Sequence, residues 1–257
     1  VPFHPTRSLI TGASSGIGAE FARSLAARGS DLVLVARRVD RLQALADELT
    51  AAHGIHVDVL GADLAEAGAG TALREQVEGP IDFLVNNAGF GIYGHLARAD
   101  VNDLDRMIAV DIRALVDATR AFLPGMIENG AGGILNIAST AAYQPLPGMA
   151  TYGAAKAFVL SFTEAVWKEA EPHGVKVMAL SPGATESEFF DVVGTENAAV
   201  GAKQTAKQVV ATGLAALDRR STPPSVISGG RNAFTAVATR FAPKRFVVNS
   251  AARLMRA

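Results

Sequence analysis

Arg7-Ser8-Leu9-Ile10-Thr11-Gly12-Ala13-Ser14-Ser15-Gly16-Ile17-Gly18 runs from a short apolar β-like segment straight into a glycine-rich turn, and a helical pattern follows over 16–28. Each glycine has a separate physical use. Gly12 permits a tight exit from the strand, Gly16 lets the backbone approach a phosphate, and Gly18 allows close helix–sheet packing. Ser14, Ser15 and Ile17 fill the same turn. The helix that begins here presents free N–H groups and a partial positive charge, which suit a pyrophosphate. Strand, turn and helix in that order favour the phosphate-binding reading over a ligand-free turn.

Outward from this stretch the chain repeats one pattern. Apolar β-rich runs near 7–11, 31–36, 55–60, 81–86, 133–138, 174–180 and 225–228 alternate with helical candidates at 16–28, 39–53, 64–78, 100–128, 148–171 and 203–218. The runs are continuous, as in Leu32-Val33-Leu34-Val35, rather than polar/apolar alternations, so both faces of each strand are expected to be covered. The expected fold class is α/β, a doubly wound parallel sheet of about seven strands with helices on both faces. A ligand crevice then lies beyond the carboxyl ends of the strands, where their order reverses.

Composition narrows the function. The chain has 257 residues, a net charge of −1 and no cysteine. The charge gives no case for nucleic-acid binding, and without cysteine there is no disulfide, thiolate metal site or cysteine nucleophile. No linker-like stretch divides the chain, so residues 1–257 are read as a single domain. The opening Val1–Arg7 lacks the basic-then-apolar run of a signal peptide, and no stretch approaches a membrane span. The expected location is cytoplasmic.

The remaining strand ends carry polar residues. After the second run comes Ala36-Arg37-Arg38, where a cofactor with a free ribose 2′-hydroxyl usually meets a carboxylate. Two guanidiniums suit a 2′-phosphate instead, with help from Ser14 and Ser15, and point to NADP(H) rather than NAD(H). Arg37 is the first choice; otherwise the pair opens a charged helix face with Asp40 and Arg41. Asp63-Leu64 ends the third run, where the carboxylate either accepts from an adenine amine or caps the next helix. Asn86-Asn87-Ala88-Gly89 ends the fourth, and suits either a backbone beside the cofactor or a plain turn.

From Asn129 to Thr163 the only charged residue is Lys156. Tyr152 lies four residues before it, on the same face of a helix. A phenol is a poor proton shuttle at neutral pH, and a nearby cation lowers its pKa towards a useful range. Tyr152 is therefore read as passing a proton, with Lys156 making that possible.

Taken together, Thr11-Gly12-x-x-x-Gly16-x-Gly18, Asp63, Asn86-Asn87-Ala88-Gly89, Ser139, Tyr152-x-x-x-Lys156 and Pro182-Gly183 give the chain a clear resemblance over residues 6–230. It resembles the short-chain dehydrogenase/reductase family, in its standard-length branch. The resemblance implies a Rossmann-like domain that transfers hydride between nicotinamide and a carbonyl or secondary alcohol carbon. It implies that Ser139 holds the substrate oxygen, that Tyr152 gives or takes the proton, and that Lys156 lowers the Tyr152 pKa and binds the nicotinamide ribose. Pro182-Gly183 would lie beside the nicotinamide, and Ser187, with Thr185 nearby, would anchor its carboxamide.

One position departs from the family pattern. Where members commonly carry Asn in the following helix, this chain has Asp111, within Met107-Ile108-Ala109-Val110-Asp111-Ile112. Either its backbone carbonyl does the family's work, or its carboxylate reaches Lys156 and offsets the pull on Tyr152. The second case predicts an active enzyme with a less depressed Tyr152 pKa. A cofactor-binding sensor without turnover is the rival reading, and Asp111 is its one support.

On the substrate side, Phe90, Tyr93, Tyr143, Leu146, Phe189 and Phe190 are expected to line a largely apolar pocket under a loop that begins at Glu188. His95 nearby is read as structural, and no metal-ligand cluster is present. From Arg219 to Ala257 there are eight Arg or Lys and no Asp or Glu. This basic tail, from about 231, is read as a solvated face or a subunit contact, ahead of a membrane surface or an acidic acyl carrier. The expected partners are a small carbonyl or alcohol substrate and further copies of the chain. Helices 100–128 and 148–171 are expected to pair these copies as a homodimer or homotetramer.

Overall fold

A computed structural model describes residues 2–194 and 203–255. In chain order the elements are β1 (Arg7–Thr11), α1 (Gly16–Ala26), β2 (Asp31–Ala36), α2 (Val39–His53), β3 (Val57–Gly61), α3 (Ala69–Gln76) and β4 (Phe83–Asn86). Then follow α4 (Val101–Ile108), a π-helical turn (Ala109–Ala114), α5 (Leu115–Glu128), β5 (Gly132–Ile137), α6 (Ala150–Ala170) and β6 (Val175–Ser181). The chain continues through α7 (Phe189–Val193), α8 (Ala206–Leu217), β7 (Ser225–Ile227), α9 (Gly230–Phe241) and α10 (Lys244–Met255). The strands form one parallel seven-stranded sheet in the order β3-β2-β1-β4-β5-β6-β7. The doubly wound architecture read from the sequence is the one observed.

Both faces of the sheet are packed, which is why the strands read as unbroken apolar runs. Ile10, Leu32, Leu34, Val85, Leu135 and Leu180 face α1, α2 and α8 and are buried with Phe21, Leu42 and Leu214. Their neighbours Leu9, Val33, Val35, Leu84, Ile134 and Val177 point to the other side, where Leu73, Phe122, Met126 and Val166 cover them. The period of two sorts one continuous run onto two cores.

The strand order reverses between β1 and β4, so the loops after these strands diverge and leave a crevice at their carboxyl ends. A buried polar relay holds β4 and β5 in register beneath it. Asn86 Nδ2 donates to Asn136 Oδ1 at 2.9 Å and to Thr119 Oγ1 at 3.2 Å, and Asn136 Nδ2 donates to Thr163 Oγ1 at 2.9 Å. Every member thereby finds a partner away from water.

Some boundaries differ from the sequence reading, each for a local reason. The helix expected over 64–78 shortens to α3, because Asp63 accepts from Ala65 N–H at 3.0 Å and Gly68 adopts φ +73° immediately before Ala69. The helix expected over 100–128 is interrupted by the π-helical turn that carries Asp111. The basic tail forms α9 and α10 among the described residues, and α9 packs beside β7 and the short 3-10 turn at Thr140–Tyr143. Arg256 lies outside the described residues. Among the described residues no helix is long and apolar enough to cross a membrane.

Candidate active site

The turn after β1 is built as its glycines suggest. Gly12 and Gly16 have φ of +65° and +55°, a region that a side chain would strain. A Cβ on Gly18 would stand 2.3 Å from Gly12 O and 2.6 Å from Asn87 Nδ2, so only glycine lets α1 meet the strand end. Asn87 fastens the far wall, donating from Nδ2 to Thr11 O at 3.0 Å and to Gly12 O at 3.2 Å. Thr11 Oγ1 accepts from the N–H groups of Asn87 and Ala88. Ser15 precedes α1 in an extended conformation but makes no side-chain cap, and no acidic residue lies in the first turn. Among the described residues no side chain caps α1 and no carboxylate lies in its first turn, an arrangement that fits a pyrophosphate.

Along this end of the sheet runs a cleft of about 1060 Å³. Its walls include Gly12, Ser14, Ser15, Gly16, Ile17, Arg37, Arg38, Asp63, Leu64, Asn87, Ala88, Gly89, Ser139, Tyr143, Tyr152, Lys156, Pro182, Gly183, Thr185, Ser187 and Phe189. Nearly every site residue read from the sequence is thus brought to one cavity. Gly18 lies beneath the turn rather than on the wall. Phe90, Leu146 and Phe190 also reach the cleft, whereas Tyr93 turns away and donates its hydroxyl to Met255 O at 2.6 Å. His95 is exposed outside it.

The two arginines sit differently on the cleft. Arg37 is exposed on the cleft wall. Arg38 is the one turned onto the glycine-rich turn, donating from Nη2 to Ser14 Oγ and to Ser15 Oγ, each at 3.0 Å. Its Nη1 donates to Glu188 Oε2 at 2.8 Å, and Glu188 Oε1 also pairs with Arg41. Asp63 accepts from Ala65 N–H and from Arg106 Nη2 at 2.9 Å, which hold its carboxyl below the usual range.

At the other end of the cleft, α6 carries Tyr152 and Lys156 one turn apart, with the ammonium 5.7 Å from the Tyr152 ring centroid. Ser139 caps the 3-10 turn after β5, its Oγ accepting from Ala141 N–H at 3.1 Å. Lys156 is buried and donates to Ile137 O at 3.2 Å. Asp111 reaches it. Its Oδ2 lies 3.3 Å from Lys156 Nζ, and its Oδ1 accepts from Phe90 N–H at 3.0 Å. Gly89 makes room for this pair, since a Cβ there would stand 2.8 Å from Asp111 Oδ1 and 3.1 Å from Lys156 Nζ. The carboxylate contact with Lys156 that the sequence allowed is present.

The charges follow from this geometry. Burial raises the Asp111 carboxyl above its ordinary pKa, with Lys156 and the Phe90 N–H opposing. Burial pulls Lys156 down, but Asp111 and the Tyr152 phenolate outweigh it and leave the ammonium above its usual value. Tyr152 is raised rather than lowered. Burial is the largest cause, Lys156 pulls the other way, Asp111 pushes up again, and a hydrogen bond with Ser139 lowers it slightly. The sequence-based expectation of a depressed phenol did not weigh desolvation against the lysine.

Sequence reasoning missed the parts of the site supplied by α9 and α10. Asn232, Thr235, Ala236, Thr239 and Met255 close one side of the cleft, and a Cβ on Gly183 would stand 2.4 Å from Asn232 Nδ2. The segment after β6 is stapled to Gln204 by two backbone hydrogen bonds, Glu186 N–H to Gln204 O and Gln204 N–H to Ala184 O, each 2.8 Å.

A Rossmann-like sheet, a glycine turn at its switch point and a Ser/Tyr/Lys group on the same cleft define an oxidoreductase of the dinucleotide-binding type. The chain belongs to the short-chain dehydrogenase family, whose model matches residues 7–198. It is 40% identical over 186 residues to sulfoacetaldehyde reductase 2 of Chromohalobacter salexigens, covering 70% of this chain and 73% of that protein. A very-long-chain 3-oxoacyl-CoA reductase of Anas platyrhynchos is 36% identical over 181 residues, 68% of this chain and 58% of that one. Among solved structures, a short-chain dehydrogenase from Sphingobium yanoikuyae in complex with NADPH superposes with a TM-score of 0.83 at 34% identity, covering 91% of this chain and 92% of that one.

Proposed function

We propose that this protein is an NADP(H)-dependent carbonyl reductase acting on a small, largely apolar ketone or aldehyde, the carbonyl being the form it takes up at neutral pH. The observation that carries this reading is the shared cleft, which holds the uncapped first turn of α1 at one end and Ser139, Tyr152 and Lys156 at the other. The cofactor would supply hydride to the carbonyl carbon. Arg38, with Ser14, Ser15 and Arg37, is suited to a ribose 2′-phosphate. The S. yanoikuyae relative solved with NADPH supports this cofactor choice.

Ser139 Oγ and Tyr152 Oη would both donate to the carbonyl oxygen, and Tyr152 would pass its proton there as the carbon accepts hydride. Because the phenol sits above its ordinary pKa, it stays protonated across neutral pH, which is the form reduction needs. Lys156 would hold the ribose hydroxyls and check the rise of the Tyr152 pKa. Asp111 would hold the ammonium in place. Gly91 passes against Tyr152 and Phe189, leaving a wall of Phe90, Leu146, Met149 and Phe189 that favours an apolar substituent. Oxidation of NADPH by a panel of ketones and aldehydes, lost in Tyr152→Phe, tests the reading.

One observation favours a second reading. The Asp111 carboxylate, 3.3 Å from Lys156, offsets the charge that would activate Tyr152, as in a protein that binds NADP(H) without turnover. Tight NADPH binding with no oxidation by any carbonyl would support that sensor. Assembly as a dimer or tetramer through the helices around 100–128 and 148–171 is proposed on the outward Val101 and Ile108 of α4 and Phe158 of α6, which leave apolar surface on those two helices.

A further inference from the structure

Glu188 belongs to the segment after β6, on the substrate side of the cleft, yet its carboxylate crosses to the cofactor side. Oε2 lies 2.8 Å from Arg38 Nη1, and Oε1 pairs with Arg41. Arg38 turns its Nε and Nη2 to Ser14 and Ser15, so four of its five N–H donors are engaged from within the chain. The same segment lies directly over the phosphate turn, because a Cβ on Gly16 would touch Ser187 Cβ at 3.0 Å.

We infer that Glu188 is an internal competitor for the cofactor's 2′-phosphate at Arg38, and so sets the preference between phosphorylated and unphosphorylated dinucleotides. The inference rests on the NADP(H) reading above. Each guanidinium N–H serves one acceptor at a time, and the Nη1 side of Arg38 is already engaged by Glu188 while its Nε and Nη2 face Ser14 and Ser15. A 2′-phosphate taking that side must displace the carboxylate or sit beside a like charge, and either lowers the affinity. NAD(H) carries no 2′-phosphate and does not meet this competition. Glu188 is held down to about 2 by Arg41 and Arg38, so it stays ionised across the working pH range. Displacement also reaches the substrate side, since the next residue, Phe189, packs on Tyr152 with ring centroids 5.4 Å apart.

The test is fluorescence titration of wild type, Glu188→Gln and Glu188→Ala with NADPH and with NADH. Both variants are expected to tighten NADPH about fivefold, the scale of a partly exposed ion pair, and to change NADH by less than about twofold. Unchanged or weaker NADPH binding overturns the inference, as it would if Glu188 clamped the cofactor. Equal tightening of both cofactors overturns it too, because that reports an opened segment rather than a freed arginine. A wild type that binds NADPH while the variants show no selective gain sinks this inference alone. A wild type that binds neither dinucleotide sinks the cofactor reading along with it.

Discussion

Removing Lys156 should expose how the buried pair at the centre of the site is held. Lys156 and Asp111 have side-chain exposures of 6% and 0%, with 3.3 Å between charged atoms. Breaking a buried ion pair from one side costs about 3–5 kcal/mol, because the remaining charge has neither water nor partner. In Lys156→Met the Asp111 carboxylate keeps the Phe90 N–H and can take up a proton, which places the loss near the lower end, about 3 kcal/mol. For a chain of this size that is a fall in Tm of about 6–12 °C. Asp111→Asn keeps the Phe90 hydrogen bond and leaves the ammonium on Ile137 O, for a loss of about 1–2 kcal/mol. The double variant removes both charges and should return to within about 1 kcal/mol of wild type, a coupling of about 3–5 kcal/mol. Urea denaturation of the cofactor-free protein measures all four corners.

The pH dependence gives an independent check. A carboxyl whose pKa is higher folded than unfolded takes up protons on folding, so its stability contribution falls as pH rises through that window and returns as pH falls. Burial already puts Asp111 in this class, and loss of the Lys156 charge raises it further. Lys156→Met should therefore regain stability relative to wild type as pH falls below neutral, and the double variant should not. Losses that simply add, within about 0.5 kcal/mol, with no such pH dependence, would refute the pairing.

Other perturbations separate parts of the account. Gly18→Ala forces a Cβ to 2.3 Å from Gly12 O, so a loss of about 1–3 kcal/mol in urea and weakened NADPH binding are expected together. Arg38→Met should weaken NADPH about tenfold or more with little change for NADH, and Arg37→Met should do less, a ranking that titration would reverse if Arg37 were the main phosphate ligand. Tyr93→Phe removes the hydrogen bond to Met255 O, for an expected loss of about 1 kcal/mol in thermal denaturation without a change of cofactor affinity. Phe158→Glu places a charge on the outward face of α6, and light scattering should then report a smaller assembly than wild type.

The parts of the fold legible in sequence were those set by local rules. The turn at Gly12, Gly16 and Gly18 could be read because positive φ and a 2.3 Å approach admit only glycine, whatever lies far away in the chain. The sheet could be read because strands covered on both faces lose their alternation. What was hidden depends on distant partners. Nothing in Met107–Ile112 marks a π-helical turn, and the approach of Asp111 to Lys156 exists only once α6 packs against it. The ion pair of Arg38 with Glu188 joins residues 150 positions apart. The fold of the tail was hidden because α9 turns Phe234 and Phe241 outward while Ala236 is buried, the reverse of the usual apolar-inward pattern. Its charge was visible, but its place over the cleft was not.

The central claim is that Tyr152 protonates a carbonyl oxygen within a cleft that also holds NADPH. The most direct measurement follows the absorbance of reduced cofactor, with wild type and Tyr152→Phe each offered the same panel of apolar ketones and aldehydes, after titration shows that both bind NADPH. Oxidation of NADPH by wild type, and a loss of at least about a thousandfold in kcat for Tyr152→Phe at unchanged NADPH affinity, is the result predicted. Turnover that survives in Tyr152→Phe would contradict the claim.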